Sequence, residues 1–218
     1  ELTQDNINKQ IIKPIWEGKD LKKWTVIEQI EKWIIFTRRG VEISEYPLIE
    51  KYLQKYKEPL TPKINMDENT GRKVGNYKWY EIQDVVDYYR KFELPKIIFP
   101  NLQNVNKFAF DETGVYLNAP SVFLPSNDKA LLAVLNSKVV WHFLKSICVI
   151  RSGGYIEVKP QYFEQIPIPD IDPNMKTELF ELTEKIIQAK TNNLQAEIPS
   201  LESQIDQLVY QLYNLTEE

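Results

Sequence analysis

Between Lys129 and about Ile147 the chain carries a stretch that cannot stand alone in water. Leu131, Leu132, Val134, Leu135, Val139, Val140, Phe143 and Leu144 leave a helix here apolar on most sides, and Asp128 is a good N-cap for it. Such a helix has to be surrounded, so the rest of the chain must supply the surroundings. Strands are the obvious source. Trp33-Ile34-Ile35-Phe36, ended by Arg38-Arg39-Gly40, reads as a buried strand at the close of the apolar run from Val26. Lys96 to Pro100 is a β-branched and aromatic strand closed by proline. Phe108-Ala109-Phe110 and Val115-Tyr116-Leu117 flank Asp111-Glu112-Thr113-Gly114, the pattern of a hairpin. Val122 to Leu124 adds another short strand.

A second helix is expected from Tyr46 to Lys57. Leu48, Ile49, Tyr52, Leu53 and Tyr56 fall at helical spacing, Pro47 suits the first position, and Pro59 and Pro62 end it. Trp79 to Ile82 reads as a short strand or turn, and Arg151-Ser152-Gly153-Gly154-Tyr155 as a tight turn. Ile166-Pro167-Ile168-Pro169 has to run extended. Beyond it the character changes. Met175, Leu179, Leu182, Ile186 and Ala189 form one heptad-spaced seam, and Ile198, Leu201, Ile205, Leu208, Leu212 and Leu215 form another. Each is too short to be stable alone, which predicts a helical hairpin packed on the body or on a partner. The expected architecture is an α/β (α+β) domain with a mixed sheet over residues 1–169, its N-terminus a linker segment. The C-terminal helical hairpin follows over 170–218.

Charge is unevenly spread. Residues 170–218 hold ten acidic and three basic residues, a net of −7, whereas the first 169 hold 24 basic and 21 acidic, a net of +3. A mildly basic body permits a local nucleic-acid face. No apolar run approaches the roughly 18 residues needed to cross a bilayer, and no membrane partner is expected. The single cysteine, Cys148, fits a reducing cytoplasm. Absence of methionine at Glu1 is read as the mark of a piece of a longer chain.

Catalytic chemistry has little foothold. Glu157-Val158-Lys159 matches half of a metal-dependent nuclease site, but the nearest upstream aspartate, Asp128, already serves as a helix cap. His142, the only histidine, is expected at the core or its rim, and Cys148 in the core. The seven glycines never form a phosphate-cradling motif. We therefore expect no catalytic, cofactor or metal site within this chain.

Reading DNA needs less distinctive residues: cations for phosphates, and Arg, Lys, Asn or Gln on loops for base edges. Lys63 to Lys78 offers Lys63, Asn65, Asn69, Arg72, Lys73, Asn76, Tyr77 and Lys78 around Gly71 and Gly75. Asn101, Gln103, Asn104, Asn106 and Lys107 form a second polar loop, and Arg151, Ser152 and Tyr155 a third. Composition alone does not separate such loops from ordinary solvated surface. Dense aromatic and basic residues follow, from Tyr77 to Pro100, and we read Trp79, Phe92 and Phe99 there as packing.

The succession Lys78-Trp79-Tyr80-Glu81-Ile82, Tyr88-Tyr89, Phe92 and Pro95-Lys96-Ile97-Ile98 resembles the TaqI-like C-terminal specificity domain. That family occurs in type IIG restriction–modification enzymes and related adenine-N6 DNA methyltransferases. The likeness continues through Phe108-Ala109-Phe110-Asp111, Gly114, Tyr116, Leu131 to Lys138, Gly153-Gly154-Tyr155 and Pro167-Ile168-Pro169. Ile12-Lys13-Pro14 with Gly18 to Lys22 resembles the segment that links the methyltransferase domain to this one, and Ile205 to Thr216 resembles the family's terminal helix. Asn214, where glycine is common, and a shortened second tail helix are departures.

The resemblance implies a target recognition domain that docks on double-stranded DNA and directs a methyltransferase carried upstream. Type II cutting by that parent is left open. S-adenosylmethionine is then expected for the parent and not for this chain, with the parent's methyltransferase domain or a second copy of the chain as a partner of the tail. The resemblance transfers no base assignment to the loop of residues 65–76; by residue type alone, Arg72, Lys73 and Lys78 are expected at phosphates or guanine edges, and Asn69, Asn76 and Tyr77 are candidate adenine readers. Lys107 and Arg151 would flank the groove, with Lys63, Asn104, Ser152 and Tyr155 completing the surface. Two other readings stay open: a specificity subunit serving separate catalytic chains, and a protein-interaction module working through its heptad tail.

Overall fold

The computed structural model describes residues 5–25, 30–66 and 69–215. Val26 to Gln29, at the start of the apolar run before the first expected strand, Asp67 and Glu68 of the polar loop, and Thr216 at the end of the tail lie outside them. In chain order the strands are β1 (Ile12–Trp16), β2 (Trp24–Thr25), β3 (Trp33–Ile35), β4 (Lys96–Pro100), β5 (Leu102–Gln103), β6 (Ala109–Asp111), β7 (Tyr116–Leu117), β8 (Ser121–Pro125), β9 (Val149–Ile150) and β10 (Ile156–Glu157). The helices are α1 (Pro47–Gln54), α2 (Lys57–Leu60), α3 (Lys129–Leu135), α4 (Lys138–Ile147), α5 (Pro160–Phe163), α6 (Pro173–Thr191) and α7 (Ile198–Leu212). The mixed α+β character read from the sequence is therefore what the chain adopts.

The chain divides into two compact units, and the division does not fall at 169/170. One unit comprises residues 1–15 and 30–90; the other comprises 16–29 and 91–218. The expected hairpin, α6 and α7, does form, but as part of the second unit's core. Leu179, Leu182, Ile186, Ala189, Ile198, Ile205 and Val209 are buried in one cluster with Phe99, Phe108, Leu132 and Leu144. The first seam is buried as its spacing required, except for Met175, which is half-buried at its start. The second is rotated, so that Val209 is buried while Leu215 is half exposed. Since the body covers these seams, the interaction-module reading loses the surface it needed, and residues 170–218 are not a detachable appendage.

The second unit is built on a four-stranded sheet of order β2-β6-β4-β8. All five residues of β4 are buried, as expected of a strand covered on both faces. Alternation sorts them: Ile97 and Phe99 join the large cluster with the helices, while Ile98 joins Trp16, Leu21, Ala109 and Val115 on the other side. The expected hairpin of residues 108–117 is not formed. β6 pairs in parallel with β2 and antiparallel with β4, so both its edges are taken and β7 stands outside this sheet. A smaller antiparallel sheet, β5-β10-β9, is built around the turn at 151–155.

The single expected helix of residues 129–147 is two helices bent by 58°. The break is made by polar side chains. Asn136 exchanges hydrogen bonds with the backbone of Phe108, 3.1 and 2.9 Å, in the manner of a neighbouring strand. Ser137 then caps α4 by accepting from Val140 N, and Lys138 N donates to Asp206 of α7 at 2.8 Å. Asn106, expected on a solvated loop, is buried and donates to the carbonyls of Leu135 and Ser137. His142 points to solvent, whereas burial of Cys148 pushes its thiol up to about 11.

Lys96 and Asp111, opposite each other on β4 and β6, form an ion pair with both side chains wholly buried. Lys96 also donates to the Phe92 carbonyl at 2.6 Å, and Asp111 accepts from the amide and hydroxyl of Thr113. Burial lowers the lysine's pKa from its ordinary value, against the pull of Asp111. Asp111→Ala should lower stability by about 3–5 kcal/mol in urea denaturation, because a buried ammonium loses its partner. The double change Lys96→Met with Asp111→Leu should restore much of that loss; equal destabilisation by both variants would contradict this account.

Asp128 caps α3 as expected, accepting from Ala130 N and Leu131 N, and it pairs with Lys176 at 2.7 Å. Burial alone raises its pKa, but Lys176 and the two amides outweigh burial and hold the carboxyl below its ordinary value. Its folded pKa is thus depressed. The stability it contributes is present above the unfolded value of about 4 and is lost as pH falls through the folded value. The stability gap between the protein and Asp128→Asn should close on acidification below pH ~4; a gap that widens there would refute the assignment.

Candidate nucleic-acid interface

The expected site residues fall into two groups, one in each unit. Lys63, Asn69, Arg72, Lys73, Asn76, Tyr77 and Lys78 belong to the first unit. Its apolar core is small: Ile11, Ile12, Val41, Ile43, Tyr46, Ile49 and Tyr80. So few side chains cannot fix a long polar loop by packing alone. Polar ties do it instead.

The loop is pinched at its base by a bridge between Pro62 and Arg72, with Lys63 N donating to Arg72 O at 2.9 Å and Arg72 N to Thr61 O at 3.0 Å. Gly71 sits at φ +105°, and a Cβ there would lie 2.6 Å from the Thr61 carbonyl, so the pinch needs glycine. Arg72 differs from expectation. Its guanidinium donates to three carbonyls: Leu60 (2.6 Å), Glu81 (2.7 Å) and Trp79 (2.8 Å). Burial lowers its pKa from the usual arginine value. We assign it to holding the loop, since three of its donors are already committed to the protein's own backbone.

Tyr77 is likewise drawn into the scaffold. Its ring has the guanidinium carbons of Arg72 and Arg39 at 4.8 and 5.0 Å from its centre, and its hydroxyl donates to Lys73 O. Arg39, noted in the sequence only as the end of a strand, donates to the carbonyls of Ile82 and Gln83. Buried Glu81 accepts from Lys78 N at 2.8 Å and from Gly40 N, and lies 3.7 Å from Arg39. Thr37 accepts from Ile82 N and donates to the Tyr80 carbonyl. Residues 77–83 are thus strapped to 37–41, which the spacing of residue types did not announce.

What this scaffold leaves at the surface is the rest of the list. Asn69, Lys73, Asn76 and Lys78 are exposed and Lys63 is half-buried. Lys78 lies 3.4 Å from Glu42 with its ammonium over the Tyr80 ring, and Tyr80 and Glu42 raise its pKa. Ile64 and Met66, near the loop's tip, are more than four-fifths exposed. Trp79 is half-buried against the small core, as expected of packing.

In the second unit Arg151, Ser152 and Tyr155 occupy the turn between β9 and β10, with Arg151 N donating to Tyr155 O at 2.7 Å. Arg151 and Lys159 both pair with Glu157, which holds that carboxyl below its ordinary value, Arg151 foremost. Glu157 and Asp128 therefore serve different partners, a pair of cations and a helix end, rather than a shared site. Asn104 is exposed and Lys107 half-buried. Gln103, in the same stretch, is buried and accepts from Lys107 N at 2.8 Å. Phe92 and Phe99 are buried, Phe99 stacking on Phe163 at 4.8 Å.

Fold and surface together define an α+β domain that displays polar, cationic loops from a clamped frame. The chain belongs to the family of TaqI-like C-terminal specificity domains, whose model matches residues 13–168. It is similar to the type II methyltransferase M.XhoI of Xanthomonas vasicola, 24% identical over 132 residues, covering 59% of this chain and 23% of that protein. It is also similar to the type II methyltransferase M.PaeR7I of Pseudomonas aeruginosa, 26% identical over 150 residues, covering 65% and 24%. The chain spans about a quarter of the length of these curated relatives. In fold it resembles the type IIL restriction–modification enzyme MmeI, solved in complex with DNA. The TM-score is 0.67 at 12% identity, over the whole of this chain and 30% of that one.

The two roles in the loop separate by experiment. Arg72→Ala should lower stability by about 2–4 kcal/mol and speed amide exchange at Glu81 and Ile82, since three charged hydrogen bonds are lost. Lys73→Ala should leave both unchanged. An Arg72→Ala protein that unfolds like the unaltered chain would remove Arg72 from the frame.

Proposed function

We propose that this chain reads a short double-stranded DNA sequence for an adenine-N6 methyltransferase of which it is one part. The observation that carries the reading is the first unit's loop. It displays Lys63, Asn69, Lys73, Asn76 and Lys78, while Arg72, Arg39 and Tyr77 hold it from behind. Preorganised loops lose less entropy on binding than floppy ones, and ammonium and amide groups are what phosphates and base edges recognise. Lys63, Lys73 and Lys78 meet phosphates; Asn69 and Asn76 read adenine edges. Asn104, Lys107, Arg151, Ser152 and Tyr155 are the second unit's own candidate DNA contacts.

The parent supplies the chemistry, with S-adenosylmethionine as methyl donor, in the cytoplasm. Membership in a specificity-domain family and likeness to type II methyltransferases support this reading. Whether the same parent also cleaves DNA is a matter for its other domains.

Fluorescence anisotropy with a pool of duplexes, at increasing salt, tests the proposal. Binding should fall linearly on a log–log plot, and Lys73→Gln should reduce the slope by about 1, one phosphate contact. Asn76→Ala should leave that slope intact but relax base preference at one position in the selected duplexes. Absence of duplex binding at low salt, or a Lys73→Gln slope equal to that of the unaltered chain, would refute this reading.

A further inference from the structure

The second unit contains a cleft of about 610 Å³, within the size range of small-ligand sites. It is lined by three segments that the sequence keeps apart: Glu17 to Lys19, Pro100 to Leu102 with Lys107, and Asn118 to Ser121. Tyr155 completes it. Its walls are of two kinds. Pro100, Ala119, Pro120 and the Tyr155 ring are flat and apolar. Asn101, Asn118 and Ser121 bring amides and a hydroxyl, and the buried Asn101 Oδ1 and Ser121 Oγ have no hydrogen-bond partner in the protein. Lys107 stands at the cleft with no carboxylate partner among the described residues, whereas Lys19 is 3.1 Å from Glu17. Gly18 keeps the space open, because a Cβ there would come within 3.3 Å of Pro100 and 3.6 Å of Ser121 Oγ.

We propose that this cleft receives a single nucleotide swung out of the bound duplex. A nucleobase matches the wall chemistry: a flat π-face for Tyr155 and the prolines, and polar edges for the amides and the Ser121 hydroxyl. Lys107 meets its phosphate. An extended groove tracking stacked DNA needs no such concavity, and a phosphate alone needs no apolar walls. A nucleotide reaches such a concavity only after leaving the stack, as bases do when enzymes act on duplexes; the base to be methylated goes to the parent's catalytic domain, so the nucleotide held here is another one. The inference rests on the DNA-reading proposal above, while its site is separate from the loop of the first unit.

The test uses the four deoxynucleoside 5′-monophosphates, with ribose 5-phosphate as control, titrated into the full 218-residue chain and followed by amide NMR. At least one nucleotide should shift the amides of Gly18, Leu102 and Ser121 saturably. Lys107→Gln and Tyr155→Ala should each weaken it about tenfold, the size of one charged hydrogen bond or one stacked base, and Tyr155→Phe should retain it. Gly18→Leu should abolish it, with Asn118→Ala as the second variant should Gly18→Leu not fold. Equal binding by ribose 5-phosphate, or no shifts at these amides, overturns the proposal. If a duplex still shifts Lys73 and Asn76, only the cleft assignment falls; if neither probe binds, the DNA reading falls with it.

Discussion

The buried pair of Lys96 and Asp111 fixes more than two strands. Removing two charges from water is so unfavourable that the pair is a poor source of net stability, yet it makes alternatives worse. A one-residue slip of β4 against β6 would strand an ammonium and a carboxylate in an apolar interior. The same ammonium holds the Phe92 carbonyl, just after the chain leaves the first unit, and the same carboxylate holds Thr113. Register, the entry of the chain into the sheet and the turn after β6 are thus set by one contact. The cleft at Pro100, the last residue of β4, is positioned by a strand in that register.

The first unit solves the opposite problem. It has few apolar side chains to bury and a long polar loop to hold, so its order comes from arginines hydrogen-bonded to carbonyls and stacked on a tyrosine. Guanidinium groups suit this use because one planar fork reaches several acceptors at once. The arrangement sorts the loop's cations by position: those turned inward make the frame, those turned outward stay at the surface. A lysine in place of Arg72 would keep the charge and lose the frame.

Patterns with long periods were legible in the sequence. The capped helix after Asp128, the strand at Lys96 to Pro100 and the two tail helices each announce themselves through repeated apolar spacing, and each is present. What failed depended on partners far along the chain. The bend after Leu135 is caused by Asn106, Phe108 and Asp206, which no local pattern connects to Asn136. The hairpin at residues 108–117 looked sound locally, but β2 had already taken the free edge of β6. Arg72 reads in sequence like any loop cation; only the three carbonyls around it reveal that it faces inward. Nothing in the sequence neighbourhoods of Arg39 or Glu81 shows that they meet.

β2 joins the sheet early in the chain and β4 late, with β6 between them. The intervening residues, most of the first unit, therefore form one excursion whose two ends are held about two strand spacings, roughly 10 Å, apart. For a loop with anchored ends, the entropy of closure grows only logarithmically with length, about 0.6 kcal/mol for each doubling. Residues added to or removed from the tip near Met66 thus barely alter the free energy of closing the sheet. This solvent-exposed stretch is also the part whose length the core is least able to sense, so new loop lengths can be sampled without disturbing the fold that carries them.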